Sequence, residues 1–214
     1  MSGAEIVQRG EVSVVLAGPP LEPPPELRDR VDDVWERERR KRPEVFDGTI
    51  VSVSDIDSER VLTRACPYRL FVARERDAGL RAALGVRALG VSGVLLVGAD
   101  GSAPRVVVGR RAAGVTEYEG AWELVPSGGV DPRRAGADGI VDVTGALLAE
   151  LEEEVGVSRE AVVETVPLGL VHDRGQDGYD VCFALRLRDA GATEVAADLQ
   201  AVAQLLAGAA RPAT

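Results

Sequence analysis

Aromatic side chains are scarce in this 214-residue chain: three Phe, three Tyr and two Trp, or 4% of residues. A core built without them must be packed from small aliphatic groups, and the 45% hydrophobic content is mostly Val, Leu and Ala. Each aromatic then calls for its own explanation. Cysteine is almost as rare. Cys66 and Cys182 lie far apart and outside any Cys-X-X-Cys pair, which argues against a disulfide framework or zinc site and leaves two reduced thiols. No stretch reaches the ~18 consecutive apolar residues of a membrane span. Residues Met1 to Gly10 lack a basic segment followed by an apolar run. The expectation is a cytoplasmic protein with no membrane partner. Positive charge is also in deficit, with a net charge of −10 and a pI near 4.8. Such a chain repels phosphate backbones at long range, which argues against a dedicated nucleic-acid binder. A nucleotide substrate stays open, because a bound metal inverts the charge felt locally.

What is present reads as alternating strands and helices. Glu11 to Ala17 is β-rich and runs into Pro19-Pro20 and Pro23-Pro24-Pro25, where missing amides forbid a helix interior. Glu26 to Arg42 has Leu27, Val31, Val34 and Trp35 at helical spacing, so an amphipathic helix is expected; its Arg37-to-Arg42 basic run reads as a solvated face. Strands are expected at Thr49–Val53, Val61–Thr63, Tyr68–Val72, Val86–Val97, Arg105–Arg110, Trp122–Val125, Val162–Val171 and Asp180–Arg188. Asp77–Leu84, Thr144–Val155 and Ala196–Ala207 read as helices, Asp100–Ser102 as a hairpin turn and Asp131–Asp142 as a loop. Together these give an α/β (α+β) fold with a mixed sheet packed between helices.

The chemistry concentrates in Ala149-Glu150-Leu151-Glu152-Glu153-Glu154-Val155-Gly156-Val157. On a helix, Glu150, Glu153 and Glu154 stand at i, i+3 and i+4 and share one face, with Gly156 as the stop. Three carboxylates on one face repel one another, which a hard divalent cation relieves; oxygen ligands favour Mg2+ or Mn2+. The plainer reading is a solvated acidic face. Its company decides between the two: Trp122 to Val125 is followed by Pro126-Ser127-Gly128-Gly129, a turn that needs backbone freedom.

These two segments together resemble the box of the Nudix hydrolase superfamily, which opens on a glycine, here Gly128, and closes on the Glu150-to-Gly156 pattern. Two departures stand out. The stretch between Gly128 and Ala149 is longer than the family's, and Ala149 replaces the box arginine, with no mid-box glutamate to pair with it. Both bracing partners are lost together, so no charge is stranded, and other contacts must hold the loop. The segments Pro43 to Gly48 and Tyr68 to Phe71 add a looser similarity to the animal UDP-sugar (UDP-glucose) pyrophosphatase type.

The resemblance implies a Nudix α/β/α sandwich over residues 86–214, with residues 1–85 as a β/helix extension packed on it. It also implies a metal-dependent pyrophosphatase that cleaves a small nucleoside-diphosphate-linked substrate, such as a nucleotide sugar, to two monophosphates. Glu150 and Glu154, helped by the Ser127 carbonyl, would hold magnesium, and Glu153 would ligate or orient water. Many members are dimers, so a homodimer is compatible. Around this core, Arg110, Arg111, Tyr118 and Arg69 are candidate substrate contacts, and Asp177, Asp180 and Glu194 candidate general bases. The lone His172 reads as structural or as catalytic. Two alternatives stand beside the hydrolase: a Nudix-fold protein that binds a nucleotide or partner without turnover, and the isoprenyl diphosphate isomerase branch. The second needs a reactive cysteine, and neither Cys66 nor Cys182 has a motif around it.

Overall fold

A computed structural model describes residues 3–98, 105–112 and 118–188. The expected hairpin turn at Asp100–Ser102, the terminal helix Ala196–Ala207 and Glu194 lie outside these residues. Among the described residues, no helix is long and apolar enough to cross a membrane.

The chain is a mixed α/β structure. Its strands are β1 (Ala4–Arg9), β2 (Ser13–Leu16), β3 (Thr49–Ile56), β4 (Arg60–Pro67), β5 (Leu89–Val97), β6 (Arg105–Val106), β7 (Val108–Arg110), β8 (Trp122–Leu124), β9 (Ser127–Gly129), β10 (Val162–Asp173) and β11 (Gly178–Leu187). The α-helices are α1 (Arg28–Lys41), α2 (Tyr68–Arg76), α3 (Ala78–Leu84) and α4 (Val143–Glu150). The main sheet runs β1-β10-β11-β5-β6, with β9 also on β5. Its β5–β11 pair is parallel and the rest antiparallel, so the sheet is mixed. A second sheet, β2-β4-β3, contains a parallel β2–β4 pair, and β7–β8 form a separate ribbon.

Two apolar clusters hold these layers. One joins α4 (Ala146, Leu147) to the main sheet (Leu89, Val91, Leu170, Val181, Phe183) and to Val51, Val53 and Val61 of the second sheet. The other joins Val31 and Val34 of α1 to Leu70 and Phe71 of α2 and Leu80 of α3. Helix α1 forms as its spacing predicts, burying Val31, Val34, Trp35 and Glu38 on one face. The buried Glu38 carboxylate is met by Arg76 and Arg42, each at 3.1 Å, which ties α1 to α2 and covers the charge.

Tyr68–Val72 is a correction: it opens helix α2 and is not a strand. Five β-prone residues look alike in either state, and here tertiary burial of Leu70, Phe71, Val72, Ala73 and Arg74 on α1 and α3 selects the helix. Asp77 then caps α3, its side chain accepting from the Gly79 amide at 2.9 Å. The expected strand Arg105–Arg110 is split. Val107 donates its amide to Leu95, and β7 then leaves β5 to pair with β8. Residues Ala4 to Arg9, which carry little pattern, add an edge strand beside β10.

Candidate active-site cleft

Helix α4 continues without a break into a π-turn, Leu151–Val155, which ends at Gly156 in the left-handed conformation (φ 71°). A π-turn advances less per residue than an α-turn, so Glu150 and Glu154 stay nearly in line while Glu153 rotates away. Glu150 and Glu154 line an open cleft of ≈ 870 Å³; Glu153 is solvent-exposed and outside it. The helix is anchored at its start by Asp142, which accepts from the Gly145 amide at 2.8 Å.

The carboxylates face the Ser127–Gly128 turn. Glu154 Oε2 accepts the Ser127 amide at 2.9 Å. Glu150 lies flat against Gly128: a Cβ there would come within 2.1 Å of the Glu150 carboxyl carbon, so only glycine admits the side chain. Burial, then the neighbouring Glu154 and Glu153, push the Glu150 carboxyl up to about 7, and Arg134 partly offsets this. Glu154 is more open, yet burial first, and then Glu123, raise it against the pull of the Ser127 amide and Arg111. Ser127 Oγ donates to Glu123 at 3.1 Å, and Arg111 pairs with Glu123. Among the described residues, no three acidic, histidine or cysteine side chains form a ready metal cluster.

The loop from Asp131 to Asp142 is held by backbone contacts to the N-terminal strand β2. Leu16 donates to Gly139 at 2.8 Å and Val141 to Val14 at 2.9 Å. Arg134, from this same loop, supplies the positive field that reaches Glu150. No motif on the loop announces either contact, because both depend on where β2 packs.

Of the other sequence candidates, Ser127, Arg111, Tyr118 and Asp180 line the cleft. The Tyr118 hydroxyl donates to Asp173, another cleft carboxylate. Asp180 reaches across Gly90, whose missing Cβ leaves it room, and accepts from Ser92 Oγ at 3.2 Å; burial raises its pKa. Arg110 is exposed and donates to the Gly120 carbonyl at 3.1 Å, outside the cleft. Arg69 is also outside, paired with Asp47 beside the proline-rich loop. Asp177 is exposed and bonds His172 Nε2 at 3.0 Å, while His172 stacks on Tyr179 at 4.5 Å. The histidine is thus committed to the β10–β11 turn and does not line the cleft.

Reasoning from the sequence missed Glu123, Asp173 and Ser92, which are ordinary strand or turn residues until β5, β8 and β10 come together. It also missed Arg74, almost fully buried at 1% exposure, whose guanidinium donates to the carbonyls of Val86 (2.7 Å), Gln176 and Asp177 (3.4 Å) and pairs with Glu75 at 2.8 Å. The Cys66 thiol, buried and pushed up to about 12, and the Cys182 thiol, pushed up to about 11, are poor nucleophiles. No family model matches the chain, and no curated protein matches it.

Proposed function

We propose that the chain is a Nudix-type pyrophosphohydrolase, its mixed sheet and flanking helices forming the α/β/α sandwich. The observation that carries this reading is the approach of Glu150 and Glu154 to the Ser127–Gly128 turn at one end of a large cleft, with Gly128 kept bare for Glu150. The donor set fits a hard cation, Mg2+ or Mn2+: carboxylate oxygens of Glu150 and Glu154 and the carbonyl of Ser127. When bound, such a cation neutralises phosphate oxygens and stabilises the charge that develops as the phosphoanhydride breaks. Glu154 must then share or release the Ser127 amide. Arg111, already paired to Glu123, offers its guanidinium edge to a phosphate. Asp180 is the group suited to take a proton from attacking water, since burial makes it a stronger base than an exposed aspartate. Glu153, exposed, is left without a direct part. The substrate class is a nucleoside diphosphate joined to a second group.

Two observations favour a second reading, nucleotide binding without turnover: no three-ligand cluster is preformed among the described residues, and Glu154 is already occupied by an amide. Incubation with nucleotide sugars, dinucleotides and nucleoside triphosphates, with and without Mg2+, separates the two by released monophosphate. Metal-dependent release supports hydrolysis, and its absence on every compound sinks it. Glu154→Gln should lower that rate by ~10² or more, the usual loss on removing a charge-stabilising group.

A further inference from the structure

The cleft extends well beyond its carboxylates, and its far end is built differently. Five of the chain's eight aromatic residues line the cleft as a whole, Tyr68, Phe71, Tyr118, Trp122 and Tyr179, with Tyr68 and Phe71 on its α2 wall. In a protein whose core is packed from aliphatics, this concentration is unlike the rest of the molecule. Trp122 is 64% exposed, on the β7–β8 ribbon. On the α2 wall, Tyr68 is half-buried, with Trp35 edge-on behind it at 6.4 Å; Phe71, tilted beside it at 5.7 Å, is buried under the Arg74 guanidinium and backs the tyrosine without offering a face. Tyr179 is held between His172 and Arg87, so it supplies rigidity and an edge, with no face to offer.

The polar inventory at this end is small. Arg74 is spent on three carbonyls and Glu75, and Arg42 is paired with Glu38. Neither suits a further phosphate or an acidic group. A sugar ring, with hydroxyls all around it, would leave most of them without partners here. Gln176 is the exception. Its Oε1 accepts two bonds from Arg81, at 3.2 and 3.3 Å, which fixes the amide and leaves its N–H2 for a ligand. A rigidly backed tyrosine ring with one fixed amide suits a planar heterocycle carrying acceptors on its edge.

We propose that this end of the cleft is a nucleobase subsite, in which the base lies against Tyr68, backed by Phe71 and Trp35, and takes a hydrogen bond from the Gln176 amide. The proposal rests on the phosphoanhydride reading for the position of the phosphates. Along β5 and the residue before it, Ala88 to Ser92 spans about 13 Å, enough to place a diphosphate and a pentose between the base and the carboxylates.

The test needs no turnover. Uridine and adenosine monophosphates are titrated into metal-free protein in chelator, by calorimetry and by tryptophan fluorescence, which reports Trp35 behind Tyr68 and exposed Trp122 together, with ribose 5-phosphate as the control. At least one nucleotide should quench that fluorescence and bind about tenfold or more tightly than ribose 5-phosphate, as stacking of one base provides. Tyr68→Leu should weaken it about tenfold, and Gln176→Ala several-fold while keeping the quench. Equal binding of ribose 5-phosphate, or wild-type affinity in both variants, overturns the subsite. If Tyr68→Leu does not fold, the ligand comparison on wild type and Gln176→Ala still decides. Nucleotide binding without hydrolysis of any substrate refutes the phosphohydrolase and leaves the subsite standing. Hydrolysis indifferent to the base does the reverse.

Discussion

Glu150 sets a measurable coupling between proton and fold, and on the proposed function a bound metal joins it. Its carboxyl is raised from 4.5 to about 7, chiefly by burial and then by Glu154 and Glu153. The folded state therefore holds a proton that the unfolded chain has released, and the metal-free protein loses stability as pH rises from about 4.5 through about 7. The full shift is worth about 3 kcal/mol; half-exposure and solvent screening reduce this to on the order of 1–2 kcal/mol. Urea unfolding in chelator at pH 5 and pH 8 reads it directly. Other carboxylates contribute a background slope, so the quantity of interest is the difference between wild type and Glu150→Gln. Wild type should lose about 1–2 kcal/mol more than the variant across this window. At pH 8, Mg2+ should restore the loss in wild type, by mass action on the native state, and do little for the variant. An unchanged pH slope in Glu150→Gln, or equal stabilisation of both proteins by Mg2+, would refute the assignment of Glu150 as a partly buried ligand.

Two further outcomes follow from packing. Gly128→Ala places a Cβ 2.1 Å from the Glu150 carboxyl carbon, so Glu150 must leave its seat; magnesium affinity measured by calorimetry should fall at least tenfold while urea stability changes by no more than about 2 kcal/mol. Arg74→Met removes the cation that pairs with buried Glu75 and binds the Gln176 and Asp177 carbonyls. It should cost about 1–3 kcal/mol in urea unfolding, the penalty of carbonyls left without a donor, because Arg81 still meets Glu75 at 2.9 Å, and an unfolding midpoint at the wild-type value would contradict that role.

The carboxylate helix was legible because its signals are local: a 3-to-4 residue spacing and a glycine stop. The rotation of Glu153 off the face was not, since nothing in Leu151 to Val155 distinguishes an α-turn from a π-turn. Helices α1 and α3 could be read from apolar spacing and an Asp cap. Tyr68–Val72 misled because Leu70, Phe71 and Val72 are buried in succession, so their periodicity is blank; the signal that was there is the run of helix formers Ala73 to Arg76 beyond them. The Arg105–Arg110 strand was legible as extended chain, but its change of partner at Val107 depends on β8, and Gly109, which leaves room for Val125, reads as an ordinary strand glycine. Ser92 and Asp180 meet only because β5 and β11 are neighbours in the sheet, a fact of topology that no window of sequence contains.

That pairing also governs when the site can form. Leu89 of β5 waits for Tyr179 of β11, and Ala4 of β1 waits for Asp173 of β10, so the main sheet closes only after nearly the whole described chain has been made. The β3–β4 hairpin and helices α1 to α3 are local and can assemble early. Contacts of such long separation are slow to form and leave strand edges bare in the interval. During synthesis the aromatic wall on α2 therefore precedes the floor of the cleft, and the carboxylates gain their opposing surface last. Synthesis that stalls before β11 would leave β5 with apolar side chains and one unpaired edge, an open template for association.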